Sequence, residues 1–135
     1  MSINRMTREQ RRWFNAIRKS LTPDFLNKAW RKRVTEGVPR VYGHCYRATE
    51  AAYYAFGRES GFEPHVLSVG NGVTHWWLAN AKTSEVIDLT YEQIPNGFDY
   101  TLGHRKFMRL GKGPGGISRL GGFLLQRARA VIDGR

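Results

Sequence analysis

The run Gly43-His44-Cys45-Tyr46 sets the only cysteine of the chain at what reads as the start of a helix. Two residues of the types that activate a thiol follow it: His75 within Val73-Thr-His-Trp-Trp-Leu78, and Asp88 within Glu85-Val-Ile-Asp-Leu-Thr90. A thiol at a helix start lies at the positive end of the helix dipole, which favours the thiolate. An imidazole can take its proton, and a carboxylate can hold that imidazole in the productive tautomer. Cys45, His75 and Asp88, on helix, strand and strand, are therefore the candidate nucleophile, base and orienting acid. Each also has a plainer reading. A lone cysteine is most often a small buried hydrophobe, His75 beside two tryptophans fits a core histidine, and Asp88 fits a strand-end acid that accepts backbone hydrogen bonds. Their joint placement favours chemistry, because an acid within the apolar run Val86-Ile-Asp-Leu89 needs a partner if buried, and His75 supplies one.

Competing chemistries have weaker support. His44, Cys45, His65, His75 and His104 include metal-ligating types, but no Cys-x-x-Cys or His-x-x-x-His spacing occurs, so no metal and no cofactor is expected. Gly111-Lys-Gly-Pro-Gly-Gly116 is flexible by composition and lacks the Gly-Lys-Ser/Thr order of a phosphate-binding loop.

The elements that must position the three residues are legible in outline. Thr7-Arg-Glu-Gln10 has the form of a capping box, and Trp13, Phe14 and Ile17 follow at helical spacing, which predicts a helix from about Thr7 to Ser20. Thr22-Pro23-Asp24 opens a second, to about Val34, burying Phe25, Leu26, Ala29 and Trp30, with Gly37-Val-Pro39 as its break. The Cys45 helix runs to Phe56, with Cys45, Ala48, Ala52, Ala55 and Phe56 on its buried face and Gly57 at its end. His65–Val69 and Val73–Ala79 flank Asn71-Gly72, a strong hairpin signal, and Glu85–Leu89 adds a third antiparallel strand. A connection closed at Ala79:Ser84 or Asn80:Thr83 sets His75 directly opposite Asp88, where side chains touch. A one-residue slip would separate them onto opposite faces. Val73, Trp77 and Val86 share the His75 face, on which the Cys45 helix is expected to pack. Trp76, Leu78, Ile87 and Leu89 face the other way, so the terminal helices must supply cover. Thr90-Tyr-Glu-Gln93 reads as a short helical turn, and Phe123–Ile132 as a last helix burying Phe123, Leu124, Ala128, Val131 and Ile132.

With 135 residues and 41% hydrophobic content, the chain has the composition of one globular domain, residues 1–135. Its formal charge of +11 is uneven: net +8 over residues 1–40, −4 over the catalytic core 41–100, and +7 over 101–135. Basic flanks attract nucleic acid or an acidic protein surface, although solvated helix faces look the same in sequence. No apolar run is long enough to cross a bilayer, and Met1-Ser-Ile-Asn-Arg-Met6 lacks the apolar stretch of a secretory signal. A single cysteine makes no internal disulfide, which fits a reducing cytoplasm.

The pattern Gly43-His44-Cys45-Tyr46-x-Ala48-x-Glu50-Ala51, Thr74-His75-Trp76 and Ile87-Asp88-Leu89-Thr90-x-x-Gln93 resembles a family of small uncharacterised phage proteins, from Leu21 to the Arg127-Ala128 region. The Cys, His, Asp order is similar to the transglutaminase-like branch of the papain-like cysteine enzymes. The resemblance implies an α+β fold, in which a central cysteine-bearing helix packs on an antiparallel sheet of at least three strands with helices from both termini. It implies a cysteine hydrolase or acyltransferase in which Cys45 attacks an amide, ester or isopeptide through a thioester, with His75 as base and Asp88 as orienting acid. Papain-type enzymes place an oxyanion-binding glutamine a few residues before the cysteine, and here that stretch is Val38-Pro-Arg-Val-Tyr42. Gln93 or backbone N–H groups near Cys45 are the substitutes, with His44 and Trp76 as flanking substrate candidates. A phage origin would place the protein in the host cytoplasm. The alternative expectation is a non-catalytic basic module that binds nucleic acid or protein and keeps the triad-like core for structural reasons.

Overall fold

The computed structural model describes residues 5–25, 43–70, 72–108 and 116–134. The expected second helix beyond Phe25, its Gly37-Val-Pro39 break, the stretch before Tyr42 and most of the Gly111–Gly116 run lie outside these residues. Pro23–Phe25 forms a single 3-10 turn, with Phe25 buried.

The first helix, α1 (Arg8–Ser20), starts where its capping box predicts. Thr7 accepts from the Gln10 backbone N–H at 3.1 Å, and the Gln10 side chain accepts from the Thr7 N–H at 3.0 Å. Trp13, Phe14 and Ile17 are buried. The cysteine helix, α2 (Cys45–Ala52), opens after Gly43, whose φ of +83° is one that glycine adopts without strain. Its first bond runs from the Ala48 N–H to the His44 carbonyl at 2.8 Å, so Cys45 occupies the first helical position. The helix continues as one π-type turn over Tyr53–Gly57, and Phe56 is buried. The last helix, α3 (Arg119–Ile132), is capped by Ser118 and begins earlier than the apolar pattern alone implies. Leu124 and Ala128 are buried, whereas Phe123 (46% exposed) and Val131 (39%) point outward, against expectation. Gly121, Leu124 and Ala128 are buried against the core, and Leu125 and Ile132 pack against it half-buried.

Four strands, β1 (Glu63–Gly70), β2 (Val73–Ala79), β3 (Val86–Ile87) and β4 (His104–Arg105), form an antiparallel sheet in the order β3-β2-β1-β4. The fold is mixed α+β, as expected from the sequence. The β1–β2 hairpin and the β2–β3 pairing are those expected, while β4 carries no alternating pattern and was not legible. The register differs from the expected one. Leu78 pairs with Ile87 and Ala79 with Val86, which carries Trp77, not His75, opposite the Asp88 position. The cause is the connection. The Asn80 side-chain oxygen accepts from the N–H groups of Lys82 and Thr83, and the Asn80 N–H bonds to the Glu85 carbonyl at 2.9 Å, making a longer loop. A shift of two residues keeps every side chain on its face, so His75 and Asp88 still meet, diagonally.

The packing of the helix is a second correction. Ala48, Ala51 and Ala52 join one core with Leu78, Ile87 and Leu89, on the face opposite His75, together with side chains of α1 and α3. An alanine stripe is flat and approaches branched aliphatic side chains closely, whereas the His75 face carries rings. Both terminal helices thus cover one side. The other side is closed by the segment around Phe98 and Tyr100, whose rings pack on Trp77 at 5.8 and 5.2 Å. Glu50, 1% exposed, ties α2 to α3: its carboxylate accepts from the Ser118 hydroxyl (2.6 Å), the Ser118 N–H (3.0 Å) and Arg47 (2.8 Å). No described helix is long and apolar enough to cross a membrane.

Candidate active site

Asp88 is fully buried, and its carboxylate is surrounded by donors. The Thr90 N–H donates to Oδ1 at 3.0 Å, while Oδ2 lies 2.7 Å from His75 Nε2 and accepts from the Tyr100 hydroxyl at 2.8 Å. The Thr90 bond turns the chain out of β3 immediately after Ile87, which explains why the expected strand to Leu89 stops short. His75, 2% exposed, is held in place by rings, with Trp77 at 5.9 Å and Phe98 at 6.0 Å.

Burial by itself lowers the pKa of an imidazole, since it penalises the charged ring. Here that effect is outweighed by hydrogen bonding to Asp88 and to Cys45 and by the charges of both, which push His75 up from 6.5 to about 9. Burial pushes Tyr100 up from its ordinary value, and the Asp88 charge and hydrogen bond add to the shift, so its hydroxyl stays a donor at neutral pH. With Nε2 given to Asp88, Nδ1 is the ring nitrogen left for the thiol.

Cys45 is 7% exposed and packs with Val66 and Trp76 at the start of α2. Its thiol lies 3.6 Å from the carbonyl of Thr74, the residue before His75, and interacts with the imidazole. The helix packs on the face of β2 opposite His75, and its first residue lies against the β2 backbone at Thr74. The structure thus joins His75 to Asp88 directly and sets the Cys45 thiol against the carbonyl of the residue before His75.

The remaining candidates divide. Trp76 borders Cys45 and meets Tyr46 edge-on at 5.0 Å. His44 is buried as the N-cap residue of α2, directly before the thiol. Gln93 ends the 3-10 turn Tyr91–Gln93, and its one described hydrogen bond is from its backbone N–H to the Thr90 carbonyl. No hydrogen bond joins Gln93 to Cys45 or His75. The first turn of α2 presents backbone N–H groups at the same helix start that carries the thiol.

Sequence reasoning missed three supports. Tyr100 shares the Asp88 oxygen used by His75. Arg18 of α1 forks onto Glu92 (2.8 and 2.5 Å) and donates to the Leu89 carbonyl at 2.7 Å, fastening the chain just beyond Asp88. Gly103 lets the backbone approach Trp77, since a Cβ there would lie 2.3 Å from the indole. The cluster Phe98-Asp-Tyr100 followed by Gly103 was the available signal. Among the described residues no group of three or more His, Cys, Asp or Glu is placed to hold a metal ion. Comparison with protein-family models, with curated proteins and with solved structures finds no match to this chain.

Proposed function

We propose that the protein is a cysteine-dependent acyl-transfer enzyme of the papain-like, transglutaminase-like type. The observation that carries this reading is the buried His75–Asp88 hydrogen bond of 2.7 Å on a ring that also interacts with the thiol of the first residue of a helix. A purely structural cysteine needs neither a buried His–Asp pair beside it nor a helix start. In the cycle, Cys45 gives its proton to His75 and attacks the carbonyl carbon of an amide, ester or isopeptide. The N–H groups of the first α2 turn stabilise the oxyanion. His75 then returns the proton to the departing amine or alcohol, leaving a thioester on Cys45. Water or an amine, deprotonated by the now neutral His75, attacks the thioester and releases the product.

The test is labelling of the intact chain with an acyl-type electrophile, comparing wild type with Cys45→Ala and His75→Ala. Wild type is expected to react at Cys45 below neutral pH and Cys45→Ala not at all. His75→Ala should react at least about 100-fold more slowly, the usual contribution of a positioned acid–base group. Equal rates in wild type and His75→Ala would refute the reading.

A further inference from the structure

The outward face of α1 carries a one-sign stripe. Arg8, Arg11, Arg12 and Lys19 are all exposed, and at 3.6 residues per turn they fall with Asn15 within an arc of roughly 100°. From Arg8 to Lys19 the stripe runs about 16 Å along the helix axis. Glu9, the only acid of α1, lies on its flank. No carboxylate among the described residues forms an ion pair with Arg8, Arg12 or Lys19.

Helix stability does not explain this arrangement. Arg8 and Arg12 are four residues apart, a spacing at which like charges repel. Arg8 and Arg11 stand in the first turn, the end at which the macrodipole disfavours cations. Solubility needs only a mixed-sign surface. The apolar side of the same helix is fully engaged, with Trp13, Phe14 and Ile17 in the core, so the stripe is held rigidly on the body of the protein. The arrangement is unfavourable for the isolated fold and favourable once an extended anion lies along it.

We propose that the α1 stripe is a binding surface for the phosphodiester backbone of nucleic acid. A duplex carries one phosphate charge per ~1.7 Å of axis over its two strands, so about 16 Å of stripe faces enough phosphates to engage each of its four cations. Nothing on this face presents a base-reading arrangement, and binding is therefore through the backbone and indifferent to sequence. This surface is independent of the Cys45 chemistry and stands whether or not the chain is an enzyme.

The experiment is fluorescence anisotropy of a labelled 20-base-pair DNA duplex with the full chain across 50–200 mM salt. An acidic peptide of glutamates is the second probe. Four phosphate contacts predict a log–log salt slope of about −3 to −4, or a loss of affinity on the order of 100-fold over that range. Arg8→Glu/Arg12→Glu/Lys19→Glu is expected to abolish the binding. Lys82→Glu/Lys106→Glu/Arg119→Glu, with the same change in net charge at exposed positions elsewhere, should retain most of it. Circular dichroism confirms that both variants are folded. No duplex binding at micromolar protein in 50 mM salt, or equal losses in the two variants, would overturn the proposal. Tighter binding of the glutamate peptide would also overturn it and assign the stripe to an acidic protein.

Discussion

Raising the pH from 6.5 to 9 should cost this protein stability through a single buried ring. His75 titrates near 6.5 when exposed and at about 9 in the fold. The folded state therefore binds this proton more tightly than the unfolded state does. Its stabilising effect is complete below about pH 6.5, declines as pH rises, and is gone above about 9. At 1.36 kcal/mol per pKa unit, the effect amounts to about 3 kcal/mol. That is a large part of the stability of a small domain. Tyr100, whose ordinary value is 10.0, adds to the loss only at higher pH. Urea unfolding at half-unit steps from pH 6 to 9.5, with the ring C–H signals of His75 followed by NMR, measures both quantities. Asp88→Asn keeps the side-chain shape and removes the charge, so it should flatten the stability profile and bring the ring pKa down. A wild-type profile level to within about 0.5 kcal/mol across the window, or a His75 ring titrating near 6.5, would refute the reasoning.

Two substitutions test the supports of the site. Tyr100→Phe removes a donor from the Asp88 carboxylate, an interaction of the charged kind worth about 1.5–3 kcal/mol, and should lower stability by that order in urea unfolding. The freed carboxylate then holds the imidazolium more strongly, so the His75 pKa is expected to rise further; an unchanged NMR titration would exclude Tyr100 as a positioning residue. Gly103→Ala drives a methyl group to within 2.3 Å of the Trp77 ring, and should destabilise by about 1–3 kcal/mol while changing the near-ultraviolet dichroism of the buried tryptophan. An unaltered melting temperature would show that the close approach of Gly103 to Trp77 is not required.

By itself the sequence determined the local elements and the identity of the chemical groups. The capping box of Thr7 and Gln10, the helix start at Cys45, the hairpin after β1 and the alternation of β2 all rest on short-range rules, in which neighbours within a few residues decide the conformation. The side-chain period of two made the meeting of His75 and Asp88 robust, because the two-residue change of register left both on one face. What only the tertiary structure decided was everything set by residues far apart in the chain. The Asn80 turn lengthened a loop that composition left open. The alanine face of α2 went to Leu78, Ile87 and Leu89 instead of to the rings around His75. β4 exists only because β1 offers it an edge. Tyr100 found Asp88 from a segment with no period to read, and Arg18 of α1 reached the flank of Asp88 across a separation of 71 residues in the chain. Patterning reports that a face will be buried. Which surface buries it depends on shape and volume across the whole core, and those quantities take values only once the chain has folded.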